Sequence, residues 1–373
     1  MKVKIISYCA VLTVAIAMTC GSRSDPTDHG TPHQAVIHAL DSCMRVLSDS
    51  GFSGVVLVAR LDTILLHQAY DRQGKAADTS TAFWLASNSK QFTAAAILKL
   101  QEQRLLSVHD SIARFFPNVP PDKRGITIHH LLSHTSGIGH NYIAEGITDR
   151  DTLVARILSA PLARPVGEQE YSSDAYDLLG AIIEIASLMS YEQYLRQNLF
   201  LPAGMQHTGF WGYESKIPVV IAPAHDSLKS MPFYARMFQG GKPKPNWGCR
   251  GGSGIFSTTG DMFRWIRALE SGRILSVSSR RLLLTPHSLI RHDDNNVDVA
   301  YGYGWIVSTQ NGKRIEYRHG GREDWLANSF IRVFADGDII ITFAYDFGPN
   351  ANAMSVMAAK QLAIILQEQH APH

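Results

Sequence analysis

Phe83-Trp84-Leu85-Ala86-Ser87-Asn88-Ser89-Lys90-Gln91-Phe92-Thr93 is the stretch on which the reading of this chain turns. A short apolar run gives way to a serine, a lysine three residues on, and an apolar segment carrying Phe92, Ala95, Ala96, Leu98 and Leu100. That spacing predicts a helix buried on nearly all sides. Ser87 is then expected at the helix N-terminus, with Lys90 one turn along on the same face. A serine hydroxyl is a poor nucleophile until a neighbour takes its proton, and a lysine at hydrogen-bond range can do so. S-x-x-K alone is a weak pattern, and an ordinary N-cap is the plainer alternative for Ser87. A helix that is core on all sides forces its first residues to open on a pocket between elements.

Working outward, residues 33–50 place Ile37, Leu40, Met44 and Leu47 at helical spacing, and the β-rich runs 54–59 and 63–67 flank Arg60-Leu61-Asp62 as a hairpin. Beyond the serine helix, Arg114-Phe115-Phe116-Pro117 and Pro120-Pro121 break the pattern. From there helices are expected at 127–132, 151–159, 175–189 and 259–270, the last capped by Thr258 or Thr259, and no sheet. Strand signals return at 302–307, 314–319, 328–333 and 338–343 as an antiparallel meander, and a helix at 355–368 closes the chain. The fold class that fits is α/β: an antiparallel sheet flanked by helices, with a mostly helical inserted domain. Residues 33–115 and 290–368 would form the sheet domain, 116–289 the helical one, and the cleft would lie between them.

The 373-residue chain carries 35 basic and 33 acidic side chains, a formal net charge of +2, with no Lys/Arg run. This gives no case for nucleic acid and leaves a small-molecule or peptide substrate as the expected partner. Lys2 and Lys4 precede an apolar run over 5–18, so residues 1–20 read as a secretory signal and 21–32 as a flexible tether. Cleavage is expected after Ala15-Ile16-Ala17, or before a lipidated Cys20 that would tether the protein to a membrane; Ala17-Met18-Thr19 departs from the usual lipobox. Either way a bacterial periplasmic, secreted or envelope-anchored protein is expected. Cys43 and Cys249, far apart in sequence, read as two buried thiols, with pairing as the alternative. His130 and His134 stand i,i+4 near His129 and His140 but lack the glutamate of an H-E-x-x-H site, so no metal is expected and His134 reads as a turn-stabilising residue. No G-x-S-x-G elbow occurs. Trp211, Tyr213, Tyr234 and Trp247 are equally cleft or core candidates.

Four blocks in order, Ser87-Asn88-Ser89-Lys90, Leu131-Leu132-Ser133-His134-Thr135-Ser136-Gly137-Ile138, Tyr171-Ser172-Ser173 and His319-Gly320-Gly321, resemble the serine β-lactamase family of the class C and penicillin-recognising esterase and D-peptidase type. The segments at 177–184, 201–208 and 251–262 resemble it too. The resemblance implies that Ser87 is the acyl-accepting nucleophile, Lys90 its activating partner, and Tyr171 a base if nearby cations hold it near the phenolate. It implies an oxyanion hole from the backbone N–H groups of Ser87 and Arg322, with Gly320 and Gly321 letting substrate approach the strand. No cofactor is implied. Ser173 stands where the family usually has asparagine, and His319 where lysine is common, so the resemblance implies an ester or peptide substrate more readily than a β-lactam. His319, neutral or cationic, would share a proton with Tyr171. Arg322-Glu323-Asp324-Trp325 would narrow the acyl pocket.

Overall fold

The computed structural model describes residues 32–70, 77–143, 146–210, 247–323, 327–344 and 351–369. The expected signal segment, nearly all of the tether, and Trp211, Tyr213 and Tyr234 lie outside the described residues, as does the side chain of Cys249.

Two runs that are apolar without alternation settle the centre of the molecule. Strand β1 (Gly54–Arg60) and strand β11 (Asp338–Ala344) pair antiparallel, and nearly every residue of both is buried. Such strands sit where both faces of a sheet are covered. Val55, Leu57, Ile339, Ile341 and Phe343 pack into the core between the sheet and the middle of the chain. Val56, Val58 and Ile340 point the other way, against helix α1 (Pro32–Asp49) and the C-terminal helix Ala351–Glu368. The sheet has eight strands in the order β2-β1-β11-β10-β9-β8-β7-β6, with β2 at Thr63–Tyr70, β6 at Ser288–Asp293, β7 at Val297–Tyr301, β8 at Ile306–Gln310, β9 at Lys313–Glu323 and β10 at Ala327–Phe334.

Helix α2 (Lys90–Glu102) runs through the larger core, with Phe92 against Phe200 and Trp265. Helices α3 (Ile128–Leu132), α4 (Arg150–Ser159) and α5 (Ser173–Ser187) and the helix Thr259–Glu270 surround it. Thr258 caps that last helix by accepting the Asp261 N–H at 3.0 Å.

Three expectations are corrected. The α-helix begins at Lys90, not at Ser87; residues Ala86–Ser89 form a 3-10 turn ahead of it. The middle of the chain is not free of sheet, because β3 (Phe83–Trp84), β5 (Ile255–Ser257) and β4 (Gly209–Phe210) form a small second sheet. Strands of two or three residues leave no alternation to read. The expected strand at 302–307 is displaced: β7 ends at Tyr301, Gly304 turns the chain with φ +69°, and β8 starts at Ile306. Gly304 is needed there, since a Cβ would lie 2.5 Å from the Lys90 carbonyl oxygen.

Candidate active site

The turn before α2 holds Ser87 out of the core. Ala86 sits at φ +47°, a left-handed conformation costing an alanine about 1–2 kcal/mol. Leu85, Ala86, Asn88, Ser89 and Lys90 are all buried, and Ser87 alone of this run is partly open. The turn is clamped from the sheet side: Asn88 Nδ2 donates to Ser329 Oγ at 2.7 Å, and Ser329 Oγ donates to the Leu85 carbonyl at 2.9 Å. Strand β9 passes so close that a Cβ on Gly321 would stand 1.9 Å from the Leu85 oxygen. Gly321 is what lets strand and turn touch. Pairing of β8 with β9 ends at Ile306–Arg318, so among the described residues the strand ladder over 319–323 is with β10. That leaves a strand edge beside Ser87 onto which an extended substrate backbone can be added. Among the described residues no acceptor takes the backbone N–H of Ser87.

Lys90 is wholly buried, and its ammonium nitrogen lies 3.3 Å from Ser87 Oγ, 3.0 Å from Ser173 Oγ and 3.0 Å from the Gly252 carbonyl oxygen. Tyr171 donates its hydroxyl to Ser87 Oγ at 2.8 Å, and Lys90 Nζ stands 4.9 Å from the centre of its ring. Ser87 is thus within hydrogen-bond reach of both Lys90 and Tyr171, and Lys90 of Ser173. Tyr171 precedes α5, whose N-cap Ser172 accepts the Ala175 N–H at 3.0 Å and donates to the Gly139 carbonyl at 2.9 Å. His134 Nδ1 accepts the Ser172 N–H at 3.2 Å and His140 Nδ1 the Ser173 N–H at 3.1 Å, while both imidazoles pack on the Tyr171 ring. His134 turns the chain at φ +60°, its carbonyl accepts the Glu170 N–H at 2.8 Å, and its ring packs on both Tyr171 and Tyr176.

Burial pushes the Tyr171 phenol up to about 12, although its hydrogen bonds with Ser87 and Ser173 pull the other way. Tyr171 is therefore protonated at rest, and the expected phenolate is not supported. His319, buried on β9, is held down to about 3 by desolvation and by the charge of Lys90. Its Nδ1 lies 2.7 Å from the Gly320 carbonyl oxygen. A carbonyl only accepts, so this nitrogen carries the proton and Nε2 is an acceptor. His319 is neutral, and its hydrogen bond goes to Gly320 rather than to Tyr171. Along β9 side chains alternate, so His319 and Gly321 face the serine turn while Gly320 and Arg322 face the other side. Arg322 is exposed there and does not narrow the pocket; Asp324 and Trp325 lie outside the described residues.

The segment at 251–262, noted in the sequence only for its resemblance and given no role, also builds the site. Gly251 and Gly252, in the helical turn Arg250–Ser253, press onto α5, where a Cβ on Gly251 would stand 2.0 Å from the Tyr176 oxygen. Their carbonyls take the Thr93 hydroxyl at 2.6 Å and Lys90 at 3.0 Å. The paired glycines were the available signal. Trp247 is core, with the Arg250 guanidinium 4.4 Å from its ring centre. His130 Nδ1 accepts the Thr127 N–H in a capping box on α3. Among the described residues no group of His, Cys, Asp and Glu is arranged to hold a metal ion.

Comparison with known proteins identifies the family and the fold. A putative penicillin-binding protein, PbpX, of Bacillus subtilis (strain 168) is 30% identical over 268 residues, covering 70% of this chain and 64% of the relative. The chain thus spans less than two thirds of the length of the curated relatives it matches first. Among solved structures, a penicillin-binding protein from Bacillus halodurans superposes with a TM-score of 0.65 at 23% identity, over 87% of this chain and 99% of that one. A D-amino acid amidase from Ochrobactrum anthropi SV3 gives 0.72 at 19%, over 90% and 100%. At such identities these two establish the fold. The family model described as Beta-lactamase matches residues 40–362, from within α1 to within the C-terminal helix, and the chain belongs to that family.

Proposed function

We propose that this protein is a serine hydrolase that acylates Ser87 and releases the acyl group to water, acting on an ester or amide, including D-configured acyl donors, in the bacterial envelope. The observation that carries the reading is Ser87 Oγ lying between Lys90 Nζ at 3.3 Å and the Tyr171 hydroxyl at 2.8 Å, beside the stretch of β9 that β8 does not cover. At rest the Lys90 ammonium donates to Ser87, Ser173 and the Gly252 carbonyl, and Tyr171 donates to Ser87 Oγ. The reactive form arises when Lys90 gives up one proton: Ser87 then donates to the lone pair of the amine, which keeps its bonds to Gly252 and Ser173. On attack, the Ser87 proton passes to Lys90, the Oγ–C bond forms, and the carbonyl oxygen gains charge opposite the N–H groups of Ser87 and Arg322. Tyr171, protonated at rest, supplies the proton to the departing alkoxide or amine and recovers one from Lys90. Water then repeats the sequence in reverse on the acyl-enzyme.

Neutral His319 gives no cation for a substrate carboxylate and offers an acceptor to an N–H or O–H instead. This favours esters and primary amides over β-lactams and peptides ending in a free carboxylate. The basic, apolar N-terminus at 2–18 supports export. The experiment is a rate comparison of a short nitrophenyl ester, a D-amino acid amide, a D-Ala-D-Ala peptide and nitrocefin, with intact-mass labelling by a fluorophosphonate. A wild-type chain that never gains the phosphonyl mass at Ser87 would sink the mechanism. Nitrocefin as the fastest substrate would instead mark a true β-lactamase, and labelling without turnover of any of the four a binding module for cell-wall peptides.

A further inference from the structure

Two carboxyl groups lie beneath Lys90 and take no part in the reaction proposed above. Asp174 and Asp177 stand i,i+3 on one face of α5, with relative exposures of 1% and 0%. Each uses one oxygen. Asp174 Oδ2 accepts the Asn141 N–H at 3.2 Å, in the loop that carries His140, and Asp177 Oδ1 accepts the Gly252 N–H at 3.0 Å. Each leaves its other oxygen, Asp174 Oδ1 and Asp177 Oδ2, buried and without a hydrogen-bond partner. Two bare buried carboxylates side by side would repel strongly, and an orphaned buried oxygen is costly. One proton removes both faults.

We propose that Asp174 and Asp177 share a single proton as an Asp177 Oδ2–H···Oδ1 Asp174 hydrogen bond, and that this singly charged pair is the counter-charge that sets the proton affinity of Lys90. The inference rests on the base role given to Lys90. Burial and mutual repulsion raise the affinity of Asp177 for a proton, burial does the same for Asp174, and the charge of Lys90 opposes both. The pair also joins the two walls of the site. Asp174 fastens the loop after Gly139, while Asp177 fastens Gly252, whose carbonyl holds Lys90. Both are positioning residues. The other titratable groups facing Lys90 are Tyr171 and Tyr176, whose rings lie 4.9 and 5.6 Å from Nζ, and His134, His140 and His319, all depressed by its charge; Arg250, beside Gly251, is paired with Glu192.

The pair has a distinctive mutational signature. In Asp177→Asn, the amide oxygen keeps Gly252 and the amide N–H replaces the shared proton. In Asp174→Asn, the oxygen keeps Asn141 and the N–H donates to an ionised Asp177. Each single variant preserves both hydrogen bonding and the single negative charge. The double variant sets two N–H groups against each other and has no charge. Each single variant should therefore keep kcat/KM within about threefold, while the double loses roughly tenfold or more. The acid limb of the double's pH–rate profile should move to lower pH, because removing a nearby anion lowers the proton affinity of Lys90. Additive effects, or a limb that stays in place, overturn the proposal. An arm independent of activity is infrared difference spectroscopy near neutral pH. The carbonyl stretch of a protonated carboxyl should be present in the wild type and absent from each single variant, and its absence from the wild type overturns the shared proton. If Ser87 is never labelled, the hydrolase reading fails while the infrared result still decides the pair.

Discussion

At the scale of the residue, Ser87 depends on neighbours whose protonation states are unlike those of free side chains. Ser87→Ala should abolish ester turnover with little change in melting temperature, because the partly open hydroxyl carries little packing. Tyr171→Phe removes the proton donor to the leaving group but keeps the ring between His134 and His140. A fall in kcat of roughly 10²–10⁴-fold is expected, with KM for the ester nearly unchanged, as steady-state kinetics would show. The buried histidines give a second prediction. His319 binds a proton only near about 3 and His134 is also held well below its ordinary value, against about 6.5 in an unfolded chain. Below about 6.5 the unfolded state takes up protons that the folded state refuses, so stability is full above that pH and is lost progressively towards the folded values. Each histidine contributes up to about 1.4 kcal/mol per pH unit of loss. The urea midpoint should fall between about pH 7.5 and about pH 5, and an unchanged midpoint would contradict the neutral buried imidazoles.

At the scale of the element, activity depends on how closely β9 approaches the serine turn. Gly321→Ala places a methyl 1.9 Å from a backbone oxygen, which cannot move without pulling the Leu85–Ser87 turn away. A loss of about 1–3 kcal/mol and of most activity is expected by denaturant titration and assay. Gly320→Ala is the control. Its methyl would meet the Phe330 ring at 3.2 Å on the opposite face, where a side chain can give, so turnover should survive. At this scale the sequence was informative where elements are long. The runs behind β1 and β11 were legible as continuous apolar stretches, and those behind β9, β10 and the helix Thr259–Glu270 by composition and period. β6 and β7 were not foreseen: Ser288–Asp293 is largely exposed, and its residues have no period to impose. The 3-10 turn at Ala86–Ser89 was invisible for another reason. Its geometry is imposed by Ser329 and the adjacent strand, which hold Asn88 and Leu85 from far along the chain and which local propensity does not contain.

At the scale of the whole molecule, β1 and β11 lie between two cores, and the active site rests on the larger one. Ile341 belongs to the larger core that also holds α2, and Ile340 to the core with α1 and the C-terminal helix. Both are wholly buried, so Ile340→Ala and Ile341→Ala should each cost about 2–5 kcal/mol in urea unfolding. A cost below about 1 kcal/mol at either would mean that one face of the sheet is not packed.

By itself the sequence determined that a serine stands three residues ahead of a lysine where a buried helix is entered. It also determined that a tyrosine and a His-Gly-Gly strand follow, and that the residues of the family's motifs occur in order. The serine–lysine spacing and the helix are local patterns, and the rest is carried by the resemblance of the motifs. Only the tertiary structure decided the chemical state of those residues. Desolvation keeps Tyr171 protonated and His319 neutral, the bracket at Gly252 orients Lys90, and the approach of β9 fixes the turn that presents Ser87. Proton affinity depends on what surrounds a group in three dimensions, and Lys90 draws its surroundings from segments 83 and 162 residues away.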